Sequence, residues 1–173
     1  MTSSENRRGM RMFPLFVDIS GKNIVVAGGG KIATRRIKTL VEGGFGAFVT
    51  VISPEICPEL ESLMQQKDKN KLCWVKGGYD KSMIQNAWMV LACTDDEKLN
   101  RQICFDCRER GIIVNTASDS SMCDFHFPGI IIEDDSVIAF NCGGKDHGKI
   151  RNMKAQLKEW METRRQKGAT QDI

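Results

Sequence analysis

The chain has 173 residues, of which 41% are apolar and 27% charged, a composition typical of a globular protein with one main domain and a small appendage. No apolar run is long enough to span a membrane, and residues 1–12 are polar and basic without an apolar signal core, so we expect a cytoplasmic protein without a membrane partner. The net charge of +3 is concentrated at both ends, which leaves an acidic body and argues against nucleic acid as the main partner.

Strand and helix patterns alternate from residue 24 onward. The first strand is predicted over 24–27 and the first helix over 31–42, with an inner stripe of Ile32, Ile37, Leu40 and Val41. A strand over 47–52, a helix that begins near Pro58 and a short strand over 72–75 follow. These elements predict the first half of a parallel sheet with crossover helices.

The same alternation continues to residue 117. A buried strand is predicted over 88–93, a helix from Leu99 to Gly111 and a fifth strand over 112–115. This order predicts an α/β fold with a Rossmann-like, doubly wound parallel sheet.

The pattern changes after residue 117. Two apolar strands over 129–133 and 137–140 are joined by Asp134-Asp135-Ser136, which predicts an antiparallel hairpin. Apolar residues then recur at helical spacing from Ile150 to Trp160. A hairpin and one helix are too small to fold alone, so we expect them to pack on the sheet domain or on a second subunit.

A glycine turn joins the first strand to the first helix. Gly28-Gly29-Gly30-Lys31-Ile32-Ala33 has the glycines that a tight turn and a close approach of the backbone to a pyrophosphate require. The N–H groups of Lys31 and Ile32 would face the anion at the N-terminus of the helix. A dinucleotide is therefore the predicted ligand.

Several further stretches give the chain a specific resemblance. They are Phe13-Pro14-Leu15-Phe16, Ser53-Pro54-Glu55, Cys93-Thr94-Asp95-Asp96 with Leu99-Asn100-Arg101, Cys123-Asp124-Phe125 and Gly143-Gly144-Lys145. In order and spacing, the chain resembles the precorrin-2 dehydrogenases, a family that includes the N-terminal domain of sirohaem synthases. The resemblance implies NAD-dependent oxidation of precorrin-2 to sirohydrochlorin in the cytoplasm, by a homodimer; some members also insert ferrous iron.

The resemblance also divides the chain. The polar, basic composition of residues 1–12 predicts a flexible tail. The resemblance implies an NAD-binding Rossmann domain over 13–117 and a dimerisation hairpin and amphipathic helix over 118–173. The cations of the last helix could engage the carboxylates of an anionic tetrapyrrole, or they form an ordinary solvated face.

The predicted cofactor contacts lie at the ends of the strands. They are Gly28, Gly29, Gly30, Lys31, Ile32, Ser53, Pro54, Thr94, Asp95 and Asn115. Ser53 could bond to a ribose hydroxyl, or it caps the next helix. Thr94 and Asn115 are candidates for the nicotinamide ribose, or they cap loops. The absence of an arginine beside Ser53 favours NAD over NADP.

The candidate catalytic residues differ from the family pattern. Where the resemblance implies Val-Asn-Val-Val-Asp, residues 114–118 end in Ser118, with Asp119 next to it. Where it implies a serine before the pair Gly143-Gly144, the chain has Cys142, and Asp146-His147 replace a Ser-Pro pair. The candidates are therefore Asp119, Ser118, Cys142 and His147, and a non-catalytic tetrapyrrole- or nucleotide-binding protein and a ferrochelatase stay open as alternatives.

Seven cysteines, an odd number, favour reduced thiols over a disulfide framework. The spacing of Cys104, Cys107, Cys123 and His126 is similar to a zinc ribbon. Because the first two fall within a predicted helix, we expect buried free thiols and no metal site.

Overall fold

A computed structural model describes residues 12–68, 71–143 and 146–168. The chain divides into two compact units, Pro14–Phe127 and a smaller one made of Met1–Phe13 with Pro128–Ile173. Apart from Met12, the predicted flexible tail lies outside the described residues, as does Lys145 of the predicted basic segment.

The larger unit is built on a five-stranded sheet in which every neighbouring pair is parallel. Its strands are β1 (Asn23–Ala27), β2 (Phe48–Ser53), β3 (Leu72–Lys76), β4 (Met89–Ala92) and β5 (Ile113–Thr116). The spatial order β3-β2-β1-β4-β5 confirms the predicted Rossmann-like sheet. The order reverses between β1 and β4, and ligands of such sheets bind beyond the carboxyl ends of the strands at that point.

Three helices cover the sheet: α1 (Lys31–Glu42), α2 (Pro58–Gln66) and α3 (Glu97–Glu109). The inner stripe predicted for α1 is wrong at Ile32, which is 45% exposed, while Ala33, Ile37 and Leu40 are buried. Ile32 lies about 100° around the helix from Ala33, which places it off the buried stripe.

Two apolar clusters form the core, one on each face of the sheet. On one face, Ile37 of α1 and Leu60 of α2 pack with Ile24 and Val26. On the other face, the inner side of α3 packs with Val25 and the neighbouring strands. Strands β1, β2, β4 and β5 are largely buried on both faces, as is usual for a parallel sheet, and this explains why they read as apolar runs. In the edge strand β3, only Leu72 is buried.

The outer edge of β5 is capped by the segment that follows it. The backbone N–H of Val114 donates to the carboxylate of Asp124 (2.8 Å), whose own N–H donates to the carbonyl of Val114 (2.9 Å). The N–H of Thr116 donates to the sulfur of Cys123 (3.2 Å). These contacts satisfy edge groups that would otherwise be free to pair with another strand.

The smaller unit contains the predicted hairpin and helix. The strands β6 (Gly129–Glu133) and β7 (Ser136–Phe140) are antiparallel, and Asp134 adopts a positive φ of 49° in the two-residue turn. The helix α4 (His147–Gly168) packs on β6, where Ile150 lies against Gly129. Arg165 of α4 forms an ion pair with Glu133. None of the helices in the described residues has the length and hydropathy to cross a membrane.

Candidate functional site

The glycine turn has the shape that a dinucleotide requires. Gly28 has a φ of +111°, and a Cβ atom at this position would lie 2.5 Å from the carbonyl oxygen of Cys93, at the end of β4. A Cβ atom on Gly29 would collide with the carbonyl of Glu55. Both glycines are therefore needed to bring the start of α1 down between the carboxyl ends of β2 and β4.

The N-terminus of α1 is open to an anion. Gly30 is the N-cap residue, no side chain caps the helix, and the first turn carries no acidic residue. A Cβ atom on Gly30 would meet nothing within 4 Å, so the space above this glycine is free. Unpaired N–H groups at the positive end of a helix dipole bind phosphate, so the residues present fit the pyrophosphate of a dinucleotide.

Ser53 ends β2 beside this turn. Its hydroxyl donates to the carbonyl of Glu55 (2.6 Å), and the N–H of Cys57 donates to the carbonyl of Gly29 (2.9 Å). The N-cap of α2 is Cys57, so Ser53 is not the helix cap that the alternative interpretation proposed. Ser53 instead fixes the loop after β2 through this hydrogen bond, and Pro54 and Glu55 in that loop are exposed. The Ser53 hydroxyl can still accept a hydrogen bond from a ribose.

The loop after β4 is organised by a buried amide that the sequence analysis did not single out. The Oδ1 atom of Asn100 accepts hydrogen bonds from the N–H (3.1 Å) and the hydroxyl (2.8 Å) of Thr94, and its Nδ2 atom donates to the carbonyl of Thr94 (2.9 Å). Asp96 caps α3 by accepting from the N–H groups of Lys98 and Leu99. Thr94 therefore acts as a loop-ordering residue, and Asp95 is exposed beside it.

The end of β5 and the start of α3 enclose a polar cavity of about 130 Å³. It is lined by Glu97, Arg101, Thr116, Ser118, Asp119 and Met122. The structure thus brings together two of the predicted catalytic residues, Ser118 and Asp119. It adds Glu97, Arg101 and Thr116, for which no role was predicted.

Asp119 is held as an ionised carboxylate. Its Oδ1 atom accepts from the hydroxyl (2.6 Å) and the N–H (2.9 Å) of Ser121, and Arg101 lies 3.8 Å from Oδ2. The two hydrogen bonds from Ser121, with a smaller contribution from Arg101, lower the pKa of Asp119 below its ordinary value of 3.8. The carboxylate can accept a proton or a hydrogen bond at neutral pH, but it has no proton to give.

The other predicted site residues lie elsewhere. Asn115 is 4% exposed, and its Nδ2 atom donates to the carbonyl of Phe125 (2.6 Å). Among the described residues, its Oδ1 atom has no hydrogen-bond partner. Cys142 is half-buried in the smaller unit, where α4 begins at His147. The roles of Asn115, Cys142 and His147 stay predictions.

The cysteines of the zinc-ribbon-like spacing are free thiols. Cys104 and Cys107 are buried in the inner face of α3, and burial raises the pKa of these thiols to about 11 and about 12. They are protonated at neutral pH. Within the part of the chain that the structure describes, no group of three or more His, Cys, Asp or Glu side chains is arranged to hold a metal ion.

One signal in the sequence could have pointed to Asn100. It precedes Cys104 and Cys107 by four and seven residues, so it shares the inner stripe of α3 with them. A polar side chain on a buried helix face needs hydrogen-bond partners, and the partners nearest to the start of α3 are in the loop after β4.

Comparisons with known proteins agree with this geometry. A family model described as putative NAD(P)-binding matches residues 15–129. The "Probable multifunctional siroheme biosynthesis protein HemA" of Ruminiclostridium josui is 36% identical over 149 residues, which are 85% of this chain and 28% of that protein. A "Siroheme synthase" of Photorhabdus laumondii is 33% identical over 136 residues, 79% of this chain and 28% of that protein.

A solved structure is also similar. The chain titled "SirC, precorrin-2 dehydrogenase" aligns with a TM-score of 0.69 and 25% identity, over 86% of this chain and 70% of that one. This chain spans less than a third of the length of the two curated relatives.

Proposed function

This chain belongs to the putative NAD(P)-binding family of the precorrin-2 dehydrogenases and sirohaem synthase N-terminal domains, and we propose that it takes part in sirohaem biosynthesis by oxidising precorrin-2 to sirohydrochlorin with NAD. One observation carries the proposal. The open N-terminus of α1 lies beside the point where the strand order reverses, and the cavity of Ser118 and Asp119 lies at the same edge of the sheet, at the end of β5. A dinucleotide and a second ligand would meet there.

The residues of the turn would hold the cofactor. The N–H groups of Gly30, Lys31 and Ile32 would bind the pyrophosphate, and Ser53 would accept a hydrogen bond from the adenine-side ribose. Glu55 is exposed after β2, and no arginine stands in the stretch Ser53-Pro54-Glu55 to neutralise a 2′-phosphate. This arrangement supports NAD rather than NADP.

The oxidation removes one hydride and one proton from the macrocycle. NAD, when bound, accepts the hydride. Asp119 would take the proton, because its carboxylate is ionised at neutral pH and lines the cavity. The gain in conjugation of the product favours the reaction, so the protein mainly has to orient the two ligands and exclude water. A weak base is then sufficient.

The test is direct. The purified chain is incubated with precorrin-2 and NAD, while the absorbance of sirohydrochlorin and of NADH is followed. Asp119→Ala is expected to lower kcat by 10²-fold or more, the usual contribution of a positioned acid or base. The matched control is Asp80→Ala, since Asp80 caps a 3-10 turn in the same way, through the N–H and hydroxyl of Ser82, but lines neither the cavity nor the glycine turn. If the kcat of Asp119→Ala equals that of the control, Asp119 is not the proton acceptor.

A second candidate function rests on Ser118. This serine stands where the resemblance implies an aspartate, which would suit a non-catalytic protein that binds a tetrapyrrole or a nucleotide. The same incubation separates the two functions. Tight binding of the pigment without sirohydrochlorin or NADH formation would favour the binding protein.

A further inference from the structure

The hydrogen-bond network under the cavity has a defined direction. The backbone of Thr94 fixes the Asn100 side chain, since the N–H of Thr94 requires an acceptor (Oδ1) and its carbonyl a donor (Nδ2). The amide can be oriented in only one way. Its second Nδ2 hydrogen points to the hydroxyl oxygen of Ser118 (3.3 Å). Ser118 Oγ is therefore an acceptor toward Asn100.

The neighbouring hydroxyl adds a second donor. Thr116 is 5% exposed, and its Oγ1 atom already accepts from the N–H of Ser118 (3.3 Å). In the described part of the chain, the one acceptor within reach of the Thr116 hydroxyl hydrogen is Ser118 Oγ (3.0 Å). A buried hydroxyl that leaves its hydrogen unpaired is costly, which favours donation from Thr116 to Ser118.

Both lone pairs of Ser118 Oγ are then occupied, and its own hydrogen has one direction left. Ser118 is exposed and lines the cavity. We propose that Asn100 is a positioning residue that sets the direction of the Thr116–Ser118 pair, so that Ser118 presents a hydroxyl donor to the cavity and binds a carbonyl or carboxylate oxygen of a ligand. Asn100, 1% exposed, acts only through Ser118. This inference rests on the proposed function for the identity of the ligand.

Two ligands carry such an oxygen: the carboxamide of NAD and the carboxylates of the tetrapyrrole. Separate titrations with NAD and with sirohydrochlorin distinguish them, and they need no turnover. Ser118→Ala is expected to weaken one of the two about tenfold, the worth of one hydrogen bond to a charged or strongly polar oxygen. An unchanged affinity for both ligands would overturn the proposal.

Asn100→Asp tests the positioning role. It keeps an oxygen for the N–H of Thr94 but replaces the donor at Ser118 by an acceptor, which turns the Ser118 hydroxyl away from the cavity. We expect the same loss as in Ser118→Ala, and no further loss in the double variant. Wild-type affinity of Asn100→Asp, or a double variant that multiplies both losses, would contradict the proposal. The matched control is Asn23→Asp, because Asn23 also donates to a backbone carbonyl, that of Asn86, but at the amino edge of β1.

A second variant keeps the test valid if Asn100→Asp does not fold, as judged by thermal melting. Thr116→Val leaves Ser118 with Asn100 as its donor and the cavity as the only direction for its hydrogen. Its affinity is expected to stay within about twofold of the wild type, because the Ser118–ligand bond is kept. Tighter binding would show that Ser118 had donated to Thr116, and the proposal would fall. If the variants show these affinities but the wild type forms no NADH, the proposed oxidation falls and the role of Ser118 stands. If the wild type binds neither NAD nor sirohydrochlorin, both proposals fall.

Discussion

At the scale of the residue, the glycines of the turn do two different things. Gly28 is needed for folding, because its φ of +111° and the nearby carbonyl of Cys93 exclude a side chain. Gly30 has an ordinary φ of −86° and open space where a Cβ would be. A glycine is therefore required for folding at position 28 and, as we propose, for phosphate binding at position 30.

This difference predicts opposite outcomes for two alanine variants. Gly28→Ala is expected to lower the free energy of unfolding by on the order of 3 kcal/mol, through backbone strain and a steric clash. Gly30→Ala is expected to cost at most about 1 kcal/mol, because alanine is only a poorer N-cap. This variant should nevertheless weaken the binding of NAD at least about tenfold, since the alanine methyl group would occupy the position proposed for the phosphate. Urea unfolding and NAD titration measure the two effects, and NAD affinity unchanged in Gly30→Ala would place the phosphate elsewhere.

Asp119 gives a prediction about pH. Its pKa is lowered below 3.8 by Ser121 and Arg101, so the carboxylate stays ionised until the pH falls through that lowered value. Stability and activity that depend on this carboxylate are thus present above pH 3.8 and lost only below it. We expect no loss of kcat that belongs to Asp119 between pH 8 and about pH 5, because pH 5 is still about one unit above its ordinary pKa of 3.8. A titration of kcat near pH 6.5 that vanishes in Asp119→Ala would contradict this assignment.

At the scale of the element, the sequence predicted the strands better than the polar contacts. The run 24–27 and the helix 31–42 are found nearly as predicted, since apolar runs and helical periodicity report burial directly. The start of α3 is two residues earlier than predicted, because Asp96 caps it. The position of Asn100 on the inner stripe of α3 indicated a buried polar contact, but its contact with Ser118 could not be read from local pattern, since the two residues meet only in the fold.

The connection from β3 to β4 is a second case in which polar contacts form only in the fold. It contains a single 3-10 turn (Lys81–Ile84) in place of a crossover helix. Three polar contacts attach it to α3: the Tyr79 hydroxyl donates to Asp106 (3.0 Å), and Lys81 pairs with Asp106 (3.5 Å) and with Glu109 (2.5 Å). Asp106 is 3% exposed and also accepts from Gln102 (3.0 Å). The buried carboxylate therefore adds polar contacts to a loop that also packs in the core through Ile84.

Tyr79 is the single tyrosine of the chain, which makes this contact measurable. Burial, and then the hydrogen bond to Asp106, raise the pKa of Tyr79 well above its ordinary value of 10.0. The stabilisation by the neutral phenol is complete below pH 10 and is lost as the pH rises beyond it. A titration of tyrosinate absorbance should show ionisation near pH 10 in urea and only at higher pH in the folded chain, and Tyr79→Phe should cost about 1 kcal/mol of unfolding free energy at pH 7. Identical titration curves in the two states would show that the contact with Asp106 does not form.

At the scale of the whole molecule, the smaller unit exposes large apolar side chains. Ile132 of β6 is 41% exposed, and Met153 and Trp160 of α4 are 40% and 56% exposed. Apolar surface of this kind marks an interaction site, which supports the proposal that residues 118–173 form a homodimer. The domain boundary at residue 117 stays a prediction.

The dimer is tested by light scattering on the purified chain, which should give twice the chain mass of 19.4 kDa. Ile132→Asp is expected to shift the equilibrium toward the monomer by at least about tenfold, because a buried charge would replace apolar contact. Phe105→Asp, on an exposed (48%) apolar residue of α3 in the larger unit, is the matched control and should stay dimeric. A monomeric wild type would contradict the homodimer, and loss of the dimer in the control alone would move the interface away from the hairpin.

NAD-dependent oxidation is tested most directly by the stoichiometry of a single reaction. The purified chain is mixed with precorrin-2 and excess NAD, and NADH and sirohydrochlorin are quantified in the same sample by absorbance. We predict one NADH for each sirohydrochlorin formed, and slower formation of both products in Gly30→Ala when the NAD concentration is lowered below the wild-type dissociation constant. Tight binding of the tetrapyrrole without NADH, or sirohydrochlorin formed without NADH, would contradict the proposed reaction.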